Sequence, residues 1–362
     1  MKTDAEVTNA GEQLLNTSLP LKDRFRALFL LRNINGKGSI DWIVKAFNDS
    51  SDLLKHELAY CLGQMRNVYA LNALIEVLSD ENQAAIVRHE AAEAIGAIGD
   101  PVGSKVLEKY LRSPIPELAE TCELAVQRIA WFNDADRNED CFLQDRKNAP
   151  SQYTQNPLEN WLIDLATGVN NFLLLCLTPF SLKHTGADAL YIPEMLPRFI
   201  LSSSKGTCLD PAPSFPCESS LASLKAMEEL FLDEEAQLWD RYRAMFSLRN
   251  MASESAVSSL AKGLFCQKSA LFRHEVAFVL GQLCSPVAVQ SLQKVLANTK
   301  ESGMVRHECA EALGSIATEE CKQTLRRFLS DPEPLVSESC EVALDICDYM
   351  ESSDFQYAST HS

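Results

Sequence analysis

The sequence is short of several things, and each shortage narrows what the chain can be. Basic residues come first: 33 Lys and Arg stand against 50 Asp and Glu, a formal charge of −17. Nucleic-acid phosphates call for a basic face, so this charge argues against nucleic acid as a partner. The acidity suits a cationic partner, with a merely solvated acidic surface as the plain alternative. The opening MKTDAEVTNAGEQ has no apolar run after its single Lys, so no secretory signal is expected there. The twelve cysteines form no CxxC and no dense framework. Cys61, Cys122, Cys309 and Cys340 fall in helical patterns beside Ala and Leu, where they read as small buried hydrophobes in a reducing compartment. These features place the protein in the cytosol. Histidine is scarce as well, with six among 362 residues.

What the chain does contain is repetition. DRFRALFLLRN at 23–33 returns as DRYRAMFSLRN at 240–250, LLKHELAYCLGQM at 53–65 as LFRHEVAFVLGQL at 271–283, and VRHEAAEAIGAI at 87–98 as VRHECAEALGSI at 305–316. The offset is 217 for the first pair and 218 for the others, the signature of a duplication. Inside each half runs a finer period: Ala27, Ala59 and Ala92 recur at 32 and 33 residues in similar helical patterns. Between them lie second helical stretches such as SIDWIVKAFND and ALNALIEVLSD, and Gly36, Gly38, Gly99, Pro101, Pro286 and Pro332 punctuate the joins. Paired helices at this period, without strand-like alternation, predict an all-α solenoid of HEAT-like helix pairs in two pseudo-twofold-related halves of four repeats each. The expected limits are residues 1–131 and 221–350, followed by a flexible tail at 351–362. The Ala- and Gly-rich helix of each pair is expected on the concave side, where small residues let neighbours approach.

The connection at 132–220 is different in kind, with polar, Ser- and Pro-rich stretches flanking an apolar run at 161–180. Asp164, Asn170 and Asn171 count against a membrane span there, and a helix or hairpin packed on the solenoid is expected instead.

Four of the six histidines are followed directly by glutamate: His56-Glu57, His89-Glu90, His274-Glu275 and His307-Glu308. Acidic residues are 50 of 362, so one such pairing has a chance of roughly one in seven; four are improbable even when duplication halves the independent events. The pairs occur only in the second and third repeats of each half. Aligned through the alanines, the first repeat has Arg24 and Phe25 in their place, and the fourth has Cys122-Glu123 and Cys340-Glu341. A residue needed for helix packing would recur in every repeat, and histidine does not. Stacked helices hold equivalent residues roughly 10 Å apart, so long side chains from neighbours can converge, and two facing halves would bring four imidazoles and up to four carboxylates into one cavity. Imidazole with carboxylate suits divalent iron, manganese or zinc. Two such clusters point to two metals, about 3.5–4 Å apart as in other two-metal sites, with open positions suited to O₂ chemistry. His184 and His361 are read as surface residues. A protein-binding scaffold and a metallohydrolase remain as alternatives at this point.

RHEAAEA, RHEVAFVLGQL, MVRHECAEALG and the DRYRAMFSLRN block resemble the deoxyhypusine hydroxylase family, HEAT-repeat di-iron monooxygenases, over about 260 residues. The resemblance implies two Fe(II) per chain and O₂ as co-substrate. It implies as partner the basic translation factor 5A carrying deoxyhypusine, a lysine extended by an aminobutyl group, and a monomeric enzyme with no membrane and no nucleic-acid role. It implies metal ligation by His56, His89 and Glu90 from one half and His274, His307 and Glu308 from the other. Glu57 and Glu275 then face the substrate amines or add to the ligand set. The di-iron centre itself is the catalytic group, with no separate side chain assigned. Asp210-Pro211-Ala212-Pro213 matches a family element, so residues 156–209 read as an insertion or a translated intron. An electronegative cavity would draw a polyamine-like arm.

Overall fold

The computed structural model describes residues 4–134, 210–216, 220–352 and 357–358. Among them are sixteen α-helices and no strand. In the first half these are α1 (Asp4–Leu15), α2 (Leu21–Ile34), α3 (Lys37–Lys45), α4 (Asp52–Met65), α5 (Leu71–Ser79), α6 (Ala85–Ile98), α7 (Pro101–Leu107) and α8 (Pro116–Asn133). In the second they are α9 (Leu221–Leu232), α10 (Leu238–Met251), α11 (Glu254–Gly263), α12 (Ala270–Leu283), α13 (Val289–Leu296), α14 (Gly303–Ile316), α15 (Glu319–Phe328) and α16 (Pro334–Glu351). They form four consecutive pairs per half, and in each pair the even-numbered helix packs on the even-numbered helix of the next.

Local chemistry starts and stops these helices. Ser51 and Ser269 cap α4 and α12, accepting from the amides of Leu54 and Phe272 at 3.0 and 2.9 Å. Pro101 opens α7, where its missing N–H costs nothing. Gly99, in the left-handed region at φ 78°, closes α6.

The small-residue faces lie where the inner helices meet. A Cβ on Gly63 would stand 2.9 Å from the Ala94 Cα, and one on Gly281 would stand 3.0 Å from the Ala312 Cα. Gly96 against Ala125 and Gly314 against Ala343 repeat the contact one step along, at 2.8 and 2.7 Å from the alanine Cβ. Hydrogen alone fits at these four points, so glycine sets the closeness of the inner row. Cys61, Cys122, Cys309 and Cys340 are fully buried free thiols in this row.

One register differs from expectation. Arg24, Arg88, Arg241 and Arg306 each donate Nε to the carbonyl ten residues upstream, at 2.8–3.1 Å. Each is the fourth residue of a fourteen-residue helix, as Lys55 and Arg273 are in α4 and α12. Phe25-Arg26 and Tyr242-Arg243, not Arg24-Phe25, therefore occupy the His-Glu positions of the first repeats. The arginine anchor outranks the alanine match: Ala27 and Leu28 are both fully buried, so either could face the core.

The two rows close on each other. α16 packs on α2 and α4, and α8 packs on α10 and α12. The Ser51 hydroxyl donates to Glu338 and the Ser269 hydroxyl to Glu120, both at 2.7 Å, so each half completes the other's helix cap. At one seam Arg26 forks onto Asp345 at 2.8 and 3.0 Å, beneath the ring of Tyr357. At the other, Arg249 forks onto Asp210 at 2.6 and 2.7 Å, Arg128 donates to the Asp210 carbonyl and Arg243 to that of Pro213. The Asp-Pro-Ala-Pro element is thus stitched across the second seam. No helix among the described residues is long and apolar enough to cross a membrane. The apolar run at 161–180, the insertion at 156–209, His184 and His361 lie outside the described residues.

Candidate metal centre

The four His-Glu pairs fall at the fifth and sixth positions of α4, α6, α12 and α14, one turn in from the N-terminal end of each. Because the inner helices are stacked in register, all four imidazoles meet at the centre of the ring. Centroid separations are 5.5 Å for His56–His89, 5.2 Å for His56–His307, 6.1 Å for His56–His274, 5.4 Å for His89–His274 and 5.3 Å for His274–His307. All eight side chains are buried, and His89 and His307 are 0% exposed.

Yet the imidazoles are poorly served with hydrogen bonds. Both ring nitrogens of His56, His89 and His274, and Nε2 of His307, have no hydrogen-bond partner. Leaving a buried polar atom unpaired typically costs about 1–3 kcal/mol, and seven in one place demand a reason. His56 Nε2 lies 3.2 Å from Glu90 Oε2, and His274 Nε2 lies 3.3 Å from Glu308 Oε2. These contacts are close in distance but lack hydrogen-bond directionality, so we read them as donor atoms converging on a common point rather than on each other. Three sets of donor atoms lie mutually within 4.8 Å: His56, His89 and Glu90; His56, His274 and His307; and His307, Glu308 and Glu311. The first set coincides with the ligand group expected for one half. In the other half the compact set has Glu311 where His274 was expected, and His274 joins His56 and His307 instead.

The electrostatics run the same way. Burial, reinforced by the neighbouring imidazoles, pushes His274 down to about 3 and His89 and His307 well below the usual histidine range. Those rings are neutral at any physiological pH, the state a metal requires. Burial and mutual repulsion push Glu57, Glu90 and Glu93 up to about 8 and hold Glu275 and Glu308 well above the carboxylate range, and burial raises Glu311. Buried carboxylates that resist ionisation lack a cation. Unpaired neutral imidazoles together with under-neutralised carboxylates fit divalent metal ions.

Glu57 and Glu275 sit beside the cluster on α4 and α12. Glu275 Oε1 is buried without a partner, and its field includes Glu93, Asp210, Glu308 and Glu90. The strongest charge acting on Glu57 is Glu311 of the other half. Glu93 and Glu311 were missed by the sequence reading. The signal was present, since RHEAAEA and RHECAEA place a second Glu four residues after each His, on the same helical face. The fourth-repeat Ser339, 3.5 Å from His307 Nδ1, carried no such mark.

Known proteins agree with this architecture. Residues 40–126 match the family of HEAT repeats, and residues 272–298 and 305–331 match the PBS lyase HEAT-like repeat. Deoxyhypusine hydroxylase of Rattus norvegicus is 44% identical over 99% of this chain and 97% of its own length. That of Homo sapiens is 42% identical over 99% and 96%. The solved structure of human deoxyhypusine hydroxylase in complex with glycerol superposes with a TM-score of 0.72, covering 95% of this chain and 96% of that one at 42% identity. With full-length likeness, the same fold and four His-Glu pairs gathered in one cavity, the chain belongs to the deoxyhypusine hydroxylase family.

Proposed function

We propose that this chain hydroxylates the deoxyhypusine side chain of translation factor 5A, using O₂ and two ferrous ions, as a cytoplasmic monooxygenase. The observation that carries the reading is the group of four buried imidazoles with unpartnered nitrogens, bordered by carboxylates that lack a cation. His56, His89 and Glu90 would hold one iron, and His274, His307 and Glu308 the other. Iron in such a nitrogen and carboxylate site, with open positions, supplies O₂ activation and C–H hydroxylation.

The remaining residues bind and orient. The deoxyhypusine arm carries a secondary and a primary amine, both cationic at neutral pH. Glu57 and Glu275, 6% and 3% exposed, are carboxylates that ionise readily only beside a positive charge, and an ammonium provides it. By engaging the two ammonium groups, Glu57 and Glu275 would fix which methylene of the arm is presented to the metal site, and so set the regiochemistry. The burial of the cluster keeps bulk water from the reacting carbon. The acidic chain, with 50 Asp and Glu against 33 Lys and Arg, favours encounter with a basic factor.

The test is direct. Anaerobically purified protein is analysed for metal, supplied with deoxyhypusine-bearing factor and O₂, and the factor is weighed. Two irons per chain and a gain of one oxygen atom on the modified side chain support the reading. Zinc alone with no oxygen transfer turns it towards a metallohydrolase, and no metal at all turns it towards a scaffold.

A further inference from the structure

We propose that Glu311, steadied by Ser339, is a positioning residue that holds His307 with Nδ1–H outward and Nε2 towards the metal, and that the other half has no equivalent device. The proposal rests on the metal-binding reading above and extends it to the layer behind the ligands.

Glu311 follows His307 by four residues on α14, so the two side chains share a face. Its Oε1 lies 3.5 Å from His307 Nδ1. Ser339, reaching over from α16 and fully buried, places Oγ 3.3 Å from the same carboxylate oxygen and 3.5 Å from the same ring nitrogen. The contacts that Ser339 and Glu311 make to this imidazole are thus both at Nδ1, and Nε2 is left without a hydrogen-bond partner. A neutral imidazole carries one N–H and one lone pair. A carboxylate beside Nδ1 favours the N–H there and leaves the Nε2 lone pair for a cation. A ligating histidine anchored in this way is oriented and made more basic, and losing such an anchor typically weakens metal binding about 10–100-fold.

Displacement by 218 residues gives the counterparts His89, Glu93 and Thr121, and the arrangement is not reproduced. The Thr121 hydroxyl turns away and donates to the Glu117 carbonyl at 2.7 Å. His89 Nδ1 has no partner. Glu93 lies in the field of Arg128, whose counterpart in the second half is Ile346. The ligand pairs have been kept between the halves while the residues behind them diverged, so the two metal positions are inequivalent.

The experiment titrates metal-free, full-length protein with Fe(II) alone under anaerobic conditions, and with Co(II) as a spectroscopic probe. Glu311→Gln keeps the shape but removes the charge, Ser339→Ala removes the hydroxyl, and Glu93→Gln is the control. Melting curves establish that each variant is folded. Expected is a loss of about 10–100-fold in affinity at one of two equivalents for Glu311→Gln, with an altered Co(II) absorption band for that equivalent. Ser339→Ala shows the same change more weakly, and Glu93→Gln stays within about 3-fold. Outright loss of one equivalent in Glu311→Gln identifies a ligand and overturns the proposal, as do equal effects of Glu311→Gln and Glu93→Gln, or none. Wild-type protein that takes up no metal overturns the metal-binding reading itself, whereas two equivalents with Glu311→Gln unchanged overturn this inference alone.

Discussion

The first repeat of each half and the two central repeats use the same helical position for opposite purposes. At the sixth residue of the inner helix the central repeats carry Glu57, Glu90, Glu275 and Glu308, all buried around the cavity. The first repeats carry Arg26 and Arg243 there, and these arginines spend their charge on the seams, against Asp345 and the Pro213 carbonyl. One position, one backbone geometry and two signs of charge separate closing the ring from equipping its centre. The preceding position follows suit: His in the central repeats, Phe25 and Tyr242 in the first, both packed in the core. Duplication supplied equivalent positions, and chemistry divided the labour among them.

The division predicts that substitutions at equivalent positions fail in different ways. The largest effect is expected from Glu90→Ala or Glu308→Ala. Iron content should fall from two per chain towards one or none and hydroxylation should cease, as metal analysis and product mass will report. Retention of both irons would remove these residues from the ligand set. Next come Glu57→Ala and Glu275→Ala, which should keep most of the iron but weaken substrate binding by about 2–5 kcal/mol, the usual cost of stranding a buried charge. If they prove as metal-poor as the first two, all four glutamates are ligands.

Arg26→Met, at the same position in a first repeat, should cost about 1.5–3 kcal/mol of stability, through the lost charged hydrogen bonds to Asp345. Denaturant unfolding measures this, and unchanged iron stoichiometry would keep the seam separate from the site. Gly96→Ala and Gly314→Ala probe what both regions share, the close inner row. Overpacking there should cost about 1–3 kcal/mol and loosen metal binding in proportion, whereas an unchanged melting temperature would show that the contact can give.

A further effect is on pH. In metal-free protein the raised folded-state values of Glu57, Glu90 and Glu93, about 8, mean that the fold holds protons the unfolded chain has released, so stability falls as pH rises from about 4.5 through 8. The depressed histidines act oppositely, but only below about 6.5, where the unfolded rings titrate. Between pH 6.5 and 8 the melting temperature of metal-free protein should therefore decline, and the gain on adding metal should grow. A flat metal-free profile would mean that these carboxylates already have cationic partners.

Much of this was legible in the sequence because it was written repeatedly. The helix pairs, the duplication and the four His-Glu pairs each announce themselves by recurrence, and the Ala and Gly of the inner row mark the faces that touch. What recurs only once was hard to see. Ser339 is one serine among many, and only the packing of α16 against α14 brings it to His307. The pairing of each half's cap serine with the other half's glutamate, Ser51 with Glu338 and Ser269 with Glu120, spans 287 and 149 residues and no local pattern encodes it. The register of the first repeat went astray because adjacent buried residues, Ala27 and Leu28, are interchangeable to a periodicity argument, and only the arginine-to-carbonyl bond distinguishes them.

Closure of the row has a consequence for how the molecule comes apart. An open stack of repeats has two ends that fray, and its unfolding spreads inward one interface at a time. Here α16 lies against α2 and α8 against α10, so each repeat has a neighbour on both sides and no terminal repeat is needed as a lid. Removing any one unit breaks two interfaces at once and also opens the cavity, so melting should be a single cooperative event in place of a gradual erosion.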